Sequence, residues 1–99
     1  MDITLISPTQ AEARRARGEA LAFLDVRSPA EFQSVHATGA KLVPLDDLQP
    51  KQVAAELGIS ERTPVVLLCA GGNRARKAAE KFHAEGIPQN HVCGLPSHP

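Results

Sequence analysis

Tryptophan and tyrosine are absent from this 99-residue chain, and three phenylalanines are its only aromatic residues. A core must therefore be built from Val, Leu, Ile and Ala. Net charge is absent too: eleven basic residues cancel eleven acidic ones. Balanced charge gives no global field for nucleic acid or an anionic membrane, although it allows a local positive cluster. Cysteine is scarce. Cys69 and Cys93 are too few for a disulfide framework, and neither has a partner at zinc-binding spacing. They are free to pair with each other, but nothing requires it, and a reducing cytoplasmic setting is the default. Long apolar runs are missing: the longest, Val65 to Ala70, is too short to cross a bilayer. Met1 to Ile6 lacks the basic-then-apolar order of a signal peptide. The expected setting is cytoplasmic, with the chain a soluble protein or the soluble domain of a longer one.

With 42% hydrophobic residues, the composition is globular, and the length fits one domain over residues 1–99. Ser7-Pro8 predicts a helix start, continued by Thr9 to Arg17 and stopped at Gly18. Ala20 to Val26 is an apolar run interrupted only by Asp25 near its carboxyl end, which fits a strand buried on both faces. Ser28-Pro29-Ala30-Glu31 has capping-box spacing and opens a short helix. His36 to Gly39 reads as loop, Ala40 to Val43 as a short strand, and Leu45 to Leu57 as helix in two pieces divided near Pro50. Val65 to Cys69 is the strongest strand, apolar and β-branched. Ala75, Ala78, Ala79 and Phe82 then recur at helical spacing, opposite Arg76, Lys77, Glu80 and Lys81. His91 to Cys93 reads as a last strand and Gly94 to Pro99 as an irregular tail. Strands alternating with helices predict an α/β domain with a mainly parallel sheet.

In such sheets ligands bind beyond the carboxyl ends of the strands, and Cys69 sits at one. Ala70, Gly71, Gly72 and Asn73 follow it and lead into a helix with Arg74 at its start. Small residues let the backbone curl with its N–H groups inward, an anion-binding arrangement. Such surroundings favour the thiolate, the nucleophilic form. The thiolate could take the outer sulfur of a donor such as thiosulfate as a persulfide, which a thiol or cyanide acceptor would remove. A cysteine in an apolar strand is more often inert core. The combination of strand, thiol, Gly-rich loop, Arg and amphipathic helix points to a reactive site.

The loop Cys69-Ala70-Gly71-Gly72-Asn73-Arg74 resembles the active-site loop of rhodanese domains: a Cys, four residues and an Arg. Asp25-Val26-Arg27-Ser28-Pro29-Ala30-Glu31-Phe32 is similar to the family's "D-x-R-x-x-x-E-F" signature. His36-Ala37-Thr38-Gly39-Ala40 is similar to its "H-I-x-G-A" segment, with Pro44 following as in the family. The resemblance spans roughly residues 5 to 93 and implies a small α/β/α sandwich and sulfur transfer. Related phosphatases have five residues between Cys and Arg, so the shorter loop here implies sulfur rather than phosphate ester chemistry.

Asp25 and Arg27 are expected to pair and hold the loops at the sheet edge, and Arg27 is also a candidate to bind an anionic donor. Glu31 is expected to cap its helix and His36 to brace its loop. His83, His91 and His98 read as surface residues, and Cys93 as an incidental thiol rather than a resolving one. No metal or cofactor is implied. The chain departs from the family at its C-terminus, where "L-x-G-G-x-x-x-W" and a final helix are expected but Val92-Cys93-Gly94-Leu95-Pro96 stands. A domain short at that end implies a homodimer or a partner covering the gap. Two functional readings remain: an active sulfurtransferase, or a non-catalytic or persulfide-carrier module acting with a partner protein.

Overall fold

Two serines start the first two helices in the same way. The Ser7 side chain accepts from the Gln10 backbone N–H, and the Gln10 side chain accepts from the Ser7 N–H. Ser28 and Glu31 repeat the exchange. Each pair satisfies two N–H groups that the helix cannot. A computed structural model describes residues 3–95 of the chain. Its helices are α1 (Pro8–Ala16), α2 (Pro29–Ser34), α3 (Pro50–Leu57) and α4 (Asn73–Ala84), with a 3-10 turn at Leu45–Asp47.

The strands are β1 (Ile3–Leu5), β2 (Ala22–Asp25), β3 (Lys41–Leu42), β4 (Val65–Ala70) and β5 (Asn90–Leu95). They form one sheet in the order β1-β5-β4-β2-β3, and every pairing is parallel. Strand β4 is central, and Val65 to Cys69 are all buried. Alternation sends Val65, Leu67 and Cys69 to one face, where they meet Val53 of α3 and Ala75, Ala78, Ala79 and Phe82 of α4. Val66 and Leu68 face the other way, with Phe23, Cys93 and Ala11 of α1. The result is the expected three-layer α/β/α sandwich. No described helix is long and apolar enough to cross a membrane.

Three expectations need correction. Strand β1 was not predicted: it has three residues, and Thr4 and Leu5 are exposed, so it leaves no apolar pattern. Strand β5 is longer than His91–Cys93, since Gly94 and Leu95 pair with Cys69 and Ala70 instead of forming a loose tail. Pro96 to Pro99 lie outside the described residues, as does His98. His83 and His91 are half-buried rather than superficial. His91 is covered because β5 is an interior strand between β1 and β4. Burial, followed by the charge of Arg14, pushes its imidazole pKa down.

Candidate active site

The strand carrying Cys69 ends at Ala70, where the chain turns through Gly71 and Gly72 with φ of 75° and 89°. Both lie in the left-handed region that side chains with a Cβ avoid. The turn sets α4 off from Gly72, whose carbonyl accepts the first helical bond, from the Arg76 N–H. The N–H groups of the first turn have no acceptor within the helix. One of them, on Ala75, donates to the Cys69 Sγ at 3.2 Å. Cys69 is fully buried. The expected backbone donor to sulfur thus comes from the first turn of α4. In the sequence Ala75 stands out as part of the helix's apolar stripe, and its one signal as a donor is its place in a first turn.

The loop is also seated against β5. A Cβ built on Gly94 would lie 3.3 Å from both the Gly71 carbonyl carbon and the Gly72 nitrogen. Gly94 is thus a supporting position that the sequence, with its single glycine there, did not single out.

Arg74 reaches across the carboxyl edge to Glu31 in α2. The pair is bidentate, Nη1 to Oε1 at 2.7 Å and Nη2 to Oε2 at 3.0 Å. Glu31 therefore caps its helix and also holds Arg74. The Arg74 guanidinium, then the Ser28 N–H, keep the Glu31 carboxyl well below its ordinary range, at about 2.

Asp25 and Arg27 form a second pair, nearly closed to solvent. The Arg27 Nε donates to both Asp25 oxygens, at 2.9 Å and 3.1 Å, and Nη2 donates to Oδ2 at 2.7 Å. The same Nη2 also donates to the Val35 carbonyl at 2.7 Å, which ties the end of β2 to the end of α2. The hydrogen bonds it donates to Asp25 raise the Arg27 pKa further. His36 is exposed: its ring stacks on Phe32 with centroids 3.8 Å apart, and Nδ1 lies 2.8 Å from the Phe32 carbonyl. Cys93 pairs in register with Leu68 and faces α1, on the opposite side of the sheet from Cys69.

Beside the loop opens a cavity of about 480 Å³, lined by Arg27, Arg74, Lys77, Asp46, Asp47 and Leu45 among others. Another, of about 460 Å³, lies at the amino ends of β2 and β3, between Phe23, Lys41 and Ile59, and neither cavity has a cysteine in its wall. The first lies at the carboxyl edge of the parallel sheet, where ligands bind, with Arg27 and Arg74 in its wall.

Residues 7–95 match the family model described as a rhodanese-like domain. The chain belongs to the rhodanese-like domain family. It is 33% identical over 82 residues to the thiosulfate sulfurtransferase GlpE of Pseudomonas fluorescens, covering 83% of this chain and 70% of GlpE. An uncharacterised protein of Synechocystis, slr1261, is 30% identical over 86 residues. That match covers 87% of this chain but only 45% of the relative. The crystal structure of a rhodanese-like domain protein from Staphylococcus aureus superposes with a TM-score of 0.71 at 22% identity, covering 92% of this chain and 84% of the other.

Proposed function

We propose that this domain is a sulfurtransferase that carries sulfane sulfur as a persulfide on Cys69. The observation that carries the reading is the 3.2 Å contact from the Ala75 N–H to Sγ at the carboxyl end of β4. An N–H fixed at a helix start stabilises negative charge on sulfur without reorganising. In the first half-reaction the Cys69 thiolate attacks the outer sulfur of thiosulfate. A Cys69 Sγ–S bond forms, the S–S bond of the donor breaks, and its electron pair leaves with sulfite. In the second, a thiolate or cyanide attacks the terminal sulfur and the electron pair returns to Cys69. Ala70, Gly71, Gly72 and Asn73 form the loop around the transferred sulfur, with Arg74 and Arg27 at its rim. Asp25, Glu31 and His36 support that rim.

The full burial of Cys69 favours a second reading, a persulfide carrier that exchanges sulfur with a partner protein. One experiment separates the readings. The protein is incubated with thiosulfate, then with cyanide, beside Cys69→Ser, while intact mass and thiocyanate are followed. A one-sulfur adduct with turnover supports the enzyme, and an adduct without turnover supports the carrier. Neither, in a folded wild-type protein, removes the sulfur-transfer reading. Phosphatase activity lost in Cys69→Ser would replace it.

A further inference from the structure

The cavity at the amino ends of β2 and β3, of about 460 Å³, has the size of a small-molecule site, roughly 300–1,000 Å³. Its floor is the edge of β2, since Ala20 to Leu24 all line it. Along a paired strand, successive peptide groups turn to opposite neighbours. The Ala22 N–H donates to the Pro64 carbonyl on the β4 side, whereas the Asp25 carbonyl accepts from Val43 on the β3 side. Phe23 shares the β3 side with Asp25. Strand β3 begins only at Lys41, in register with Leu24. The carbonyl that would meet the Phe23 N–H belongs to Gly39, where the chain turns away with φ of 84°. Among the described residues, the Phe23 N–H therefore has no backbone acceptor. The walls add charge and apolar surface. Lys41 is exposed and, among the described residues, has no carboxylate within ion-pair distance. The wall's carboxylate, Glu19, is taken up by Arg14 and Arg17, and its other cation, Arg15, by Glu12. Leu21, Leu57 and Ile59 supply the apolar part, and Leu57 is 39% exposed.

We propose that this cavity is a second binding site, for a small carboxylic acid with an apolar tail. The carboxylate sits between the Phe23 N–H and the Lys41 ammonium, and the tail lies against Leu57 and Ile59. An ionised carboxylate only accepts hydrogen bonds, so it can use both donors at once, and its bond to the ammonium is charge-assisted. An amine on the same tail meets Lys41 with like charge and brings no acceptor to the Phe23 N–H. A short acid such as acetate carries the charge but leaves the apolar wall in water. The tail removes part of the exposed Leu57 surface from water, which adds the nonpolar share of the binding. The site has no cysteine and lies at the end of the strands opposite Cys69, so it stands independently of the sulfur-transfer reading.

Hexanoate is the probe, with hexylamine and acetate beside it. Each is titrated into the isotope-labelled protein while backbone amide chemical shifts are followed, and thermal unfolding records stability. Hexanoate is expected to give a saturable shift, largest at Phe23 and Lys41 and small at Gly71 and Gly72. Hexylamine and acetate should each bind at least about tenfold more weakly. Lys41→Gln removes an exposed charge and should keep the Tm while weakening hexanoate about tenfold, the scale of one charge-assisted hydrogen bond. Leu57→Ala, which keeps a helix former at the end of α3, should weaken it several-fold. Shifts still linear at about 10 mM hexanoate overturn the proposal. So do equal binding of hexylamine, unchanged binding in either folded variant, and shifts centred on the Cys69 loop.

Discussion

Gly94 of β5 and Gly71 of the cysteine loop touch backbone to backbone: a Cβ on Gly94 would lie 3.3 Å from the Gly71 carbonyl carbon. A methyl group at Gly94 has only main chain to push, so Gly94→Ala should shift the loop by a few tenths of an ångström and cost roughly 1–3 kcal/mol. At Gly71 a Cβ meets nothing within 4 Å, and only the left-handed backbone resists it. Gly71→Ala should cost about 1–2 kcal/mol through conformation alone. Both should slow adduct formation on Cys69, and equilibrium denaturation beside the kinetics of sulfur uptake will test this. Full-rate uptake by Gly94→Ala would mean that the loop does not depend on its seat against β5.

The Asp25–Arg27 pair is shielded, with side-chain exposures of 0% and 8%. Removing one partner of such a pair leaves an unmatched buried charge, which typically costs about 3–5 kcal/mol. Asp25→Ala should therefore lower the denaturant midpoint far more than Lys77→Ala, which truncates an exposed side chain. Arg27→Met, which retains an apolar stem, leaves Asp25 unmatched and should also destabilise. Equal midpoints for Asp25→Ala and wild type would show that the pair does not hold β2 to α2.

Acid stability should report the Glu31–Arg74 contact. The carboxyl titrates near 2 when folded, against an ordinary value of 4.5. The folded state thus holds fewer protons than the unfolded one between these values, and stability falls there as the pH falls. The contribution is complete above about 4.5 and is lost as pH falls toward 2. Because the pair is about one-third exposed, solvent screening makes the effect modest. Melting temperatures followed down in pH should decline more gently in Glu31→Gln than in wild type, and parallel curves would count against the contact.

Cys93 should be a bystander. Burial, and then the charge of Cys69, push its thiol pKa up. It also faces the opposite side of the sheet. Cys93→Ala should leave the Cys69 adduct intact, and a thiol-specific alkylating reagent should leave Cys93 unlabelled in the native state. A disulfide between the two cysteines, seen as a loss of two hydrogens by intact mass, would overturn this.

What the sequence made legible follows the range of each interaction. Strand β4 and the apolar face of α4 were readable because their signals are local: an unbroken apolar run, then Ala75, Ala78, Ala79 and Phe82 at helical spacing. The serine caps were readable for the same reason, since each is closed within three residues. The bond from Arg74 to Glu31 spans 43 positions, and no local pattern announces it. The Cys69 loop can be picked out by composition, and N–H groups of the loop and of the helix start are expected around its sulfur, but nothing local singles out Ala75 as the donor. Gly94 reads as the start of an irregular tail, and glycine inside a strand ordinarily weakens it. Here it continues one, because the loop backbone needs the room. Strand β1 left no pattern because an exposed edge of three residues buries almost nothing.

That edge has a mechanical consequence. Strands β1 and β5 run in the same direction, so Ile3 and Leu95 lie at opposite margins of the sheet. Tension applied at these two points drags β1 and β5 lengthwise past each other. The pairs Ile3–Asn90, Thr4–His91 and Leu5–Val92 then bear the load together instead of parting one by one. The shortest ladder at that side would slip first. Its release would leave β5, β4, β2 and β3, with the cysteine loop seated on Gly94, as the part that still resists the pull.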